Sequence, residues 1–137
     1  MATIKQATIK NTRELLSTNK EAATVMTLGN ILAMTGGYAV DADSGTVVAD
    51  LLGVCNATIA AAEGLTRVLY IVPSDEDTFI FPTSNNSDAT HNGQAMVLAS
   101  ATEVNNTGTN SDTGIVQQVE PYGASTDKLI IGRFLTL

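Results

Sequence analysis

The most constraining feature of this chain is a succession of short apolar runs separated by turn-forming residues. Gly, Asn, Asp, Ser and Pro stand between the runs, as they do between short β-strands. No long stretches of helical periodicity alternate with them, which argues against a β-α-β architecture. The pattern predicts an all-β fold, a small β-barrel or sandwich with at most one or two short helices. The runs cover 22–28, 31–34, 38–40, 46–49, 66–72, 78–81, 94–99, 115–119 and 129–137.

Two local signals refine this pattern. The segment Asp41–Gly45 is a strong turn signal, and it predicts a β-hairpin between strands at 38–40 and 46–49. Asn11 precedes Glu14 by three residues, as in a capping box, which predicts a helical turn or short helix over 11–16.

The composition indicates thin β-layers built from small aliphatic residues. Apolar residues make up 44% of the 137 residues, but aromatic residues make up only 4%, and Trp is absent. Phe79 and Phe81 lie in a strand-like run and are expected to be buried. Cys55, the single cysteine, is flanked by aliphatic residues, so we expect a free, buried thiol rather than a nucleophile or a disulfide partner.

Charge is distributed unevenly along the chain. The net charge is −7, yet residues 1–20 hold four basic residues and one acidic residue, whereas the remainder holds three basic and thirteen acidic residues. An acidic body is a poor surface for nucleic acid, which needs basic groups for its phosphates. The polar N-terminus resembles neither a secretory signal nor a membrane span, so we expect folding in a reducing cytoplasm and no membrane partner.

The first ten residues repeat one four-residue pattern. Ala2–Lys5 recurs as Ala7–Lys10, so Ile4 and Ile9 are five residues apart. In an extended strand an odd spacing places them on opposite faces. This suits an arm lying between two surfaces, although a frayed terminus with an accidental repeat is the alternative. We therefore divide the chain into an extended N-terminal arm, 1–20, and a single β-rich domain, 21–137. The candidate partner-binding residues are Ile4, Lys5, Ile9, Lys10, Arg13 and Lys20.

The search for catalytic or metal-binding motifs mostly finds none. His91, the only histidine, stands in a polar loop, where a solvated side chain is a better interpretation than a triad member. Asp41 and Asp43 do not continue into the ligand spacing of a calcium-binding EF-hand loop. The acidic run Asp75–Asp77 is typical of a solvated turn. We therefore expect a non-enzymatic protein without a cofactor or metal.

One stretch resembles a known family. Gly37–Val48 followed by Leu52–Asn56, and later Gly93–Ala99 followed by Gly114–Val116, are similar to the strand–turn–strand texture of tailed-bacteriophage capsid decoration proteins, also called cement proteins. The likeness extends over roughly 20–137, as a general pattern of short strands and turns. Its turn motifs are weakly specific, because any small β-protein needs them.

The resemblance implies a concrete function. Decoration proteins bind the outside of an expanded capsid and stabilise it, often as trimers, and an extended N-terminal arm commonly reaches onto the shell. They have no enzyme activity and no cofactor. By this resemblance the partners are the major capsid protein and sister copies in a homotrimer, and the location is the exterior of the virion.

Two other classes of function stay open. A carbohydrate-binding or adhesin module would present aromatic rings to sugars, and a trimeric β-barrel enzyme such as a nucleotide hydrolase would share a site between subunits. The last run, Leu129–Leu137, is apolar on both faces, which predicts contact with a sister subunit. Gly132 within it marks a bulge or a close backbone approach.

Overall fold

The fold is given by a computed structural model that describes residues 5–8, 16–19, 25–59, 67–74, 77–107 and 114–135. For 5–8, 16–19 and 67–69 the description extends to the backbone only. Twelve strands form within these ranges. They are β1 (Lys5–Thr8), β2 (Leu16–Asn19), β3 (Ile31–Thr35), β4 (Tyr38–Asp41), β5 (Leu51–Cys55), β6 (Arg67–Ile71), β7 (Thr78–Pro82), β8 (Ala95–Met96), β9 (Leu98–Ser100), β10 (Glu103–Val104), β11 (Val116–Pro121) and β12 (Leu129–Phe134).

Ten of these strands form two five-stranded antiparallel sheets. The first sheet has the order β1-β7-β12-β11-β8, and the second has the order β2-β6-β5-β3-β4. The remaining two, β9 and β10, form a two-stranded antiparallel ribbon. A parallel bridge between Thr83 and Val104 ties this ribbon to the chain just beyond β7.

The all-β prediction is confirmed. Helical structure in the described ranges is limited to three 3-10 segments of three residues each, Val48–Asp50, Ala89–His91 and Ser125–Asp127. No closed barrel forms in this part of the chain. The second sheet is curled, because Cα atoms of its two edge strands β2 and β4 come within 8 Å of each other, but no ladder joins them.

The larger core lies between the two five-stranded sheets. Strand alternation directs Phe79 and Phe81 of β7 inward, and their ring centroids lie 5.4 and 5.3 Å from that of Phe134 in β12. The centroids of Phe79 and Phe81 are 6.0 Å apart. Ile31 and Val54 approach from the second sheet. All three phenylalanines of this aromatic-poor chain are therefore in one buried cluster, which confirms the expectation for Phe79 and Phe81.

The strands β3 and β5 at the centre of the second sheet are buried on both faces. Ile31 and Ala33 of β3 face the larger core, whereas Leu32 between them belongs to a second cluster with Cys55 and Tyr70. Met26, Ala39 and Ile59 complete that cluster. Burial on both faces explains why these strands are continuously apolar rather than alternating.

The predicted hairpin at Asp41–Gly45 is wrong, although the turn itself is present. The hairpin lies one turn earlier, between β3 and β4, where Gly36 and Gly37 both have positive φ angles of 59° and 84°. Two-residue hairpin loops favour such a pair, because positive φ matches the twist of the flanking strands. After the later turn the chain enters the 3-10 segment Val48–Asp50 and then β5.

Gly132 marks a close backbone approach, as predicted. A Cβ there would lie 3.0 Å from Val116 Cγ1 and 3.1 Å from both Gln117 O and Phe81 Cδ2. The facing strand β11 has its register shift between Gln118 and Glu120, directly beside this glycine. The predicted helical turn at 11–16 lies outside the described residues except for Leu16, which begins β2.

Candidate functional site

The N-terminal segment contributes an edge strand to each sheet. Strand β1 pairs with β7 at one edge of the first sheet, with Lys5 in register with Ile80. Strand β2 pairs with β6 at one edge of the second sheet, with Leu16 in register with Tyr70. Residues 9–15 connect β1 to β2. A connection of this length spans at most about 30 Å, so the end of β1 and the start of β2 lie within that distance of each other.

The candidate partner-binding residues stay predictions. Lys5 is placed in β1 by its backbone. The other five lie outside the described residues, and they are Ile4, Ile9, Lys10, Arg13 and Lys20. The division of the chain at residue 20 likewise stays a prediction.

Cys55 is a free, buried thiol, as predicted. It is 1% exposed within the second cluster, and its Sγ lies 3.1 Å from the carbonyl oxygen of Ala57, to which it donates. Burial is the main cause that raises the pKa of the Cys55 thiol, and the charge of Asp41 raises it further, against the lowering effect of the Ala57 hydrogen bond. A thiol held protonated in this way is a poor nucleophile.

His91 ends a 3-10 segment that Asp88 caps. Asp88 Oδ1 accepts a hydrogen bond of 2.8 Å from the backbone N–H of Thr90, and this bond is the main cause that lowers the pKa of Asp88. The carboxylate is thus occupied by the backbone of the turn, and the described contacts include no bond from it to the imidazole. The ring is half-buried rather than fully solvated, which differs from the expectation for this loop.

The Asp41–Gly45 turn is organised by its own side chains. Asp43 Oδ1 accepts from the N–H of Gly45 at 2.8 Å, and Thr46 Oγ1 accepts from the N–H of Asp43 at 3.0 Å. With Asp41 and Asp50 these residues line a shallow hollow of about 150 Å³. Within the described ranges, no group of three or more His, Cys, Asp or Glu residues is placed to hold a metal ion.

The acidic run Asp75–Asp77 is described only at its last residue. Asp77 is 3% exposed, and its Oδ2 accepts from the N–H of Ser74 at 2.9 Å. The expectation of a solvated turn is therefore wrong for Asp77, whose carboxylate closes the turn that leads into β7. A carboxylate that accepts a backbone N–H three residues earlier stabilises the turn locally.

Two buried amides, Asn106 and Gln118, hold the polar loop after β7, and neither is among the candidate residues from the sequence. Asn106 is 2% exposed, and it accepts from the N–H of Asn85 at 2.9 Å while donating to the carbonyls of Asn85 and Asn86 at 3.1 Å each. Gln118 is fully buried and donates to the carbonyl of Asp88 at 2.8 Å. Period-two alternation from Val116 was the one available signal, since it puts Gln118 on the buried face of β11.

Comparison with known proteins adds no functional assignment. No protein-family model matches this sequence. No curated protein sequence matches it significantly. Among the helical segments of the described ranges, none is long and apolar enough to cross a membrane.

Proposed function

We propose that this chain is a virion structural protein that binds the outer surface of a tailed-phage capsid and stabilises it. In this proposal the protein has no catalytic centre and no cofactor, and residues 1–20 attach it to the major capsid protein. The small all-β body serves as the outward-facing platform. The resemblance of Gly37–Val48 to decoration proteins and the uneven charge of the chain support this assignment.

The position of β1 is the observation that carries the proposal. β1 is the terminal strand of the first sheet, so β7 pairs with one of its sides and no strand of the described ranges pairs with the other. An edge strand presents a row of backbone N–H and C=O groups that a strand from another chain can extend. An extended segment of the capsid protein fits this edge by main-chain pairing.

Charge complements this edge pairing. The segment 1–20 is basic, whereas the described surface of the body exposes carboxylates at Asp41, Asp43, Asp50, Asp88 and Asp127. A basic attachment segment on an acidic body favours approach to an acidic partner surface in one orientation. Such charges act mainly on encounter rate and orientation, and they are sensitive to salt.

Self-association, with a trimer favoured, is part of the proposal. Phe79 and Phe81 point into the core, so Ile80 between them lies on the outer face of the first sheet, beside Ile131 in the register of β7 and β12. Both isoleucines are half-buried. An apolar strip at the centre of an outer sheet face favours contact with a sister subunit. Light scattering is expected to give three times the 14.3 kDa chain mass, and a monomer at every concentration would contradict self-association in solution.

A carbohydrate-binding module remains the second candidate. Sugar sites use exposed aromatic faces, and the three phenylalanines are buried. Tyr38 and Tyr122 are the exposed aromatic residues of the described ranges, at 46% and 45%. Binding of immobilised glycans that is lost in Tyr38→Ala or Tyr122→Ala would favour this candidate over the capsid proposal.

Electron microscopy of intact particles tests the proposal. Particles isolated from cultures that produce this chain are expected to show regular surface density of 14.3 kDa per copy. The same particles should carry the chain after sedimentation, and antibodies to the body should label their exterior. Particles whose surface and protein content lack the chain would contradict the assignment.

A further inference from the structure

The segment 87–94 covers a group of buried polar atoms on the inner face of the first sheet. Gln118 is fully buried, and its Nε2 donates to the carbonyl of Asp88 at 2.8 Å and to Asn92 Oδ1 at 2.9 Å. Its Oε1 is buried and accepts no hydrogen bond from the described residues. The backbone carbonyl of Asp88 accepts only, so it fixes which end of the Gln118 amide faces it, and Oε1 must be the end that points elsewhere.

Gln94 contributes a second buried acceptor, its Oε1, beside the Gln118 side chain. The N–H of Gln118 donates to the carbonyl of Gln94 at 3.1 Å, and the N–H of Gly93 donates to the carbonyl of Gln118 at 2.8 Å. With φ of 83° at Gly93, this is a G1 bulge in which Gln94 stands opposite Gln118. Side chains opposite each other across a ladder share a face, with Cβ atoms about 5 Å apart. Gln94 Oε1 is also buried without a partner in the described ranges.

Two further polar atoms of the covering segment are buried without a hydrogen-bond partner in the described ranges. Ser87 Oγ and His91 Nδ1 are buried, and neither has a hydrogen-bond partner among the described residues. A hydroxyl and an imidazole nitrogen can each donate or accept, whereas two amide oxygens only accept. One water molecule can donate to two acceptors and accept from a hydroxyl or an imidazole N–H, so its hydrogen-bonding capacity matches these atoms.

We propose that the segment 87–94 encloses a structural water site, in which one water donates to Gln94 Oε1 and Gln118 Oε1. Ser87 Oγ or His91 Nδ1 supplies a donor to the water oxygen. Water fits because it has two O–H groups at the angle that joins two neighbouring acceptors, and buried waters typically make about three hydrogen bonds. The site is independent of the proposed function, since it concerns only how the loop is fixed to the sheet.

The test combines a water contact with a substitution of Gln94. In the wild-type protein, nuclear Overhauser spectroscopy is expected to show a long-lived water beside the Gln118 side-chain amide protons. Gln94→Met keeps the side-chain length and removes the acceptor, so the water contact should be lost and the urea midpoint should fall. Glu120→Met, at an exposed position of the same strand, is the control and should leave the water contact unchanged. Gln117 is unsuitable for this purpose, because its Nε2 donates to the carbonyl of Gly93 at 3.0 Å within the covering segment.

Three results would overturn the water site. If Gln94 Oε1 were simply unsatisfied, Gln94→Met would raise the midpoint, because a buried acceptor without a donor is destabilising. A crystal structure with the Gln94 amide bonded directly to Gln118 would replace the water by a protein contact. A midpoint that rises with sodium at constant ionic strength would show a bound cation instead.

Discussion

At Gly53 the backbone leaves no space for a side chain. Its φ is 152°, and a Cβ would lie 2.2 Å from the carbonyl oxygen of Ile71 and 3.2 Å from the Tyr70 ring. Gly53 is in register with Leu32, beside the register shift between β3 and β5. The absence of a side chain at Gly53 thus allows β5 to lie this close to the backbone of Ile71 in β6.

Gly53→Ala is therefore expected to destabilise the fold by about 2 kcal/mol or more, from overpacking together with backbone strain. Gly45→Ala is the matched control, because a Cβ there meets only Asp43 Oδ1 at an ordinary 3.4 Å. Urea unfolding of both variants measures the difference. Equal midpoints for the two would contradict this account of Gly53.

Cys55 gives a prediction at the same scale. Because the folded state raises the pKa of the thiol, the native protein keeps its proton at a pH where the unfolded chain has lost it. The stabilising contribution is present below the ordinary thiol pKa and is lost as pH rises above it. Cys55→Ala should flatten the alkaline loss of stability, measured by urea unfolding between about pH 7 and 10, the range around an ordinary thiol pKa of roughly 8.5.

The same burial predicts slow thiol chemistry. A bulky disulfide reagent should modify native Cys55 much more slowly than the urea-unfolded chain. Rapid modification of the native protein would show that the thiol is accessible after all.

Among the elements, the loop between β7 and β8 is unusual because buried side chains from other elements hold it. Asn106 lies just after β10 and bonds 85 and 86, and Gln118 of β11 bonds 88 and 92. Residue 87 lies between these two attachment points, and its carbonyl accepts a hydrogen bond of 2.9 Å from Ser125 Oγ. Hydrogen bonds therefore fix this polar loop to the body at three points.

Asn106→Ala should remove the first attachment and leave the backbone groups of Asn85 and Asn86 without their partner. The expected cost is about 2–4 kcal/mol, since more than one buried polar group loses its bond. Asn86→Ala is the control, because its exposed side chain should change stability by no more than about 0.5 kcal/mol. Thermal unfolding of the two variants compares them, and similar midpoints would contradict the proposed role of Asn106.

The Asp88 cap predicts a dependence on acid. Its folded-state pKa is lowered chiefly by the Thr90 N–H, so the carboxylate stabilises the folded loop above its ordinary pKa. That contribution is lost as pH falls through the lowered folded value. Asp88→Asn keeps an acceptor without the charge, so it should remove this acid dependence, measured by the Thr90 amide shift between about pH 2 and 6, around the ordinary value of roughly 3.9.

At the scale of the whole molecule, much of the fold could be predicted because strand and turn signals are local. The runs at 31–34, 66–72, 78–81 and 129–137 correspond to β3, β6, β7 and β12 within a few residues. The hairpin was misplaced because Asp41–Gly45 and Gly36–Gly37 are both good turns, and only the pairing of β3 with β4 decides between them. Such pairing depends on contacts that are distant in sequence.

The hydrogen bonds of the buried amides could not be predicted for a related reason, although strand alternation places Gln118 on the inner face of β11. An Asn or Gln is usually exposed, and burial is tolerated only when backbone partners are brought to it. Those partners, at 85–92, lie twenty or more residues from Asn106 and Gln118 along the chain. Tertiary structure alone supplies them. The candidate attachment residues, by contrast, rest on charge and repeat in the sequence.

In the proposal, apolar contacts of the N-terminal segment determine affinity for the particle, and its charges determine the rate of binding. This gives two expectations. A buried isoleucine contributes about 1.5–3 kcal/mol, whereas an exposed ion pair contributes about 0–1 kcal/mol. Ile4→Asp with Ile9→Asp should therefore lower particle affinity more than Lys5→Glu with Lys10→Glu. The lysine variant should mainly slow binding at low salt. Lys128→Glu in the body is the charge-matched control for either single change, Lys5→Glu or Lys10→Glu, because each replaces one lysine by one glutamate.

Co-sedimentation with undecorated particles after deletion of residues 2–10 tests attachment most directly. Because β1 lies at a sheet edge, the shortened chain should keep its other strands, which circular dichroism and thermal unfolding would verify. We expect it to remain folded and to stay in the supernatant, whereas the full chain sediments with the particles. A folded, shortened chain that sediments with unchanged affinity would contradict the claim that this segment is the attachment device.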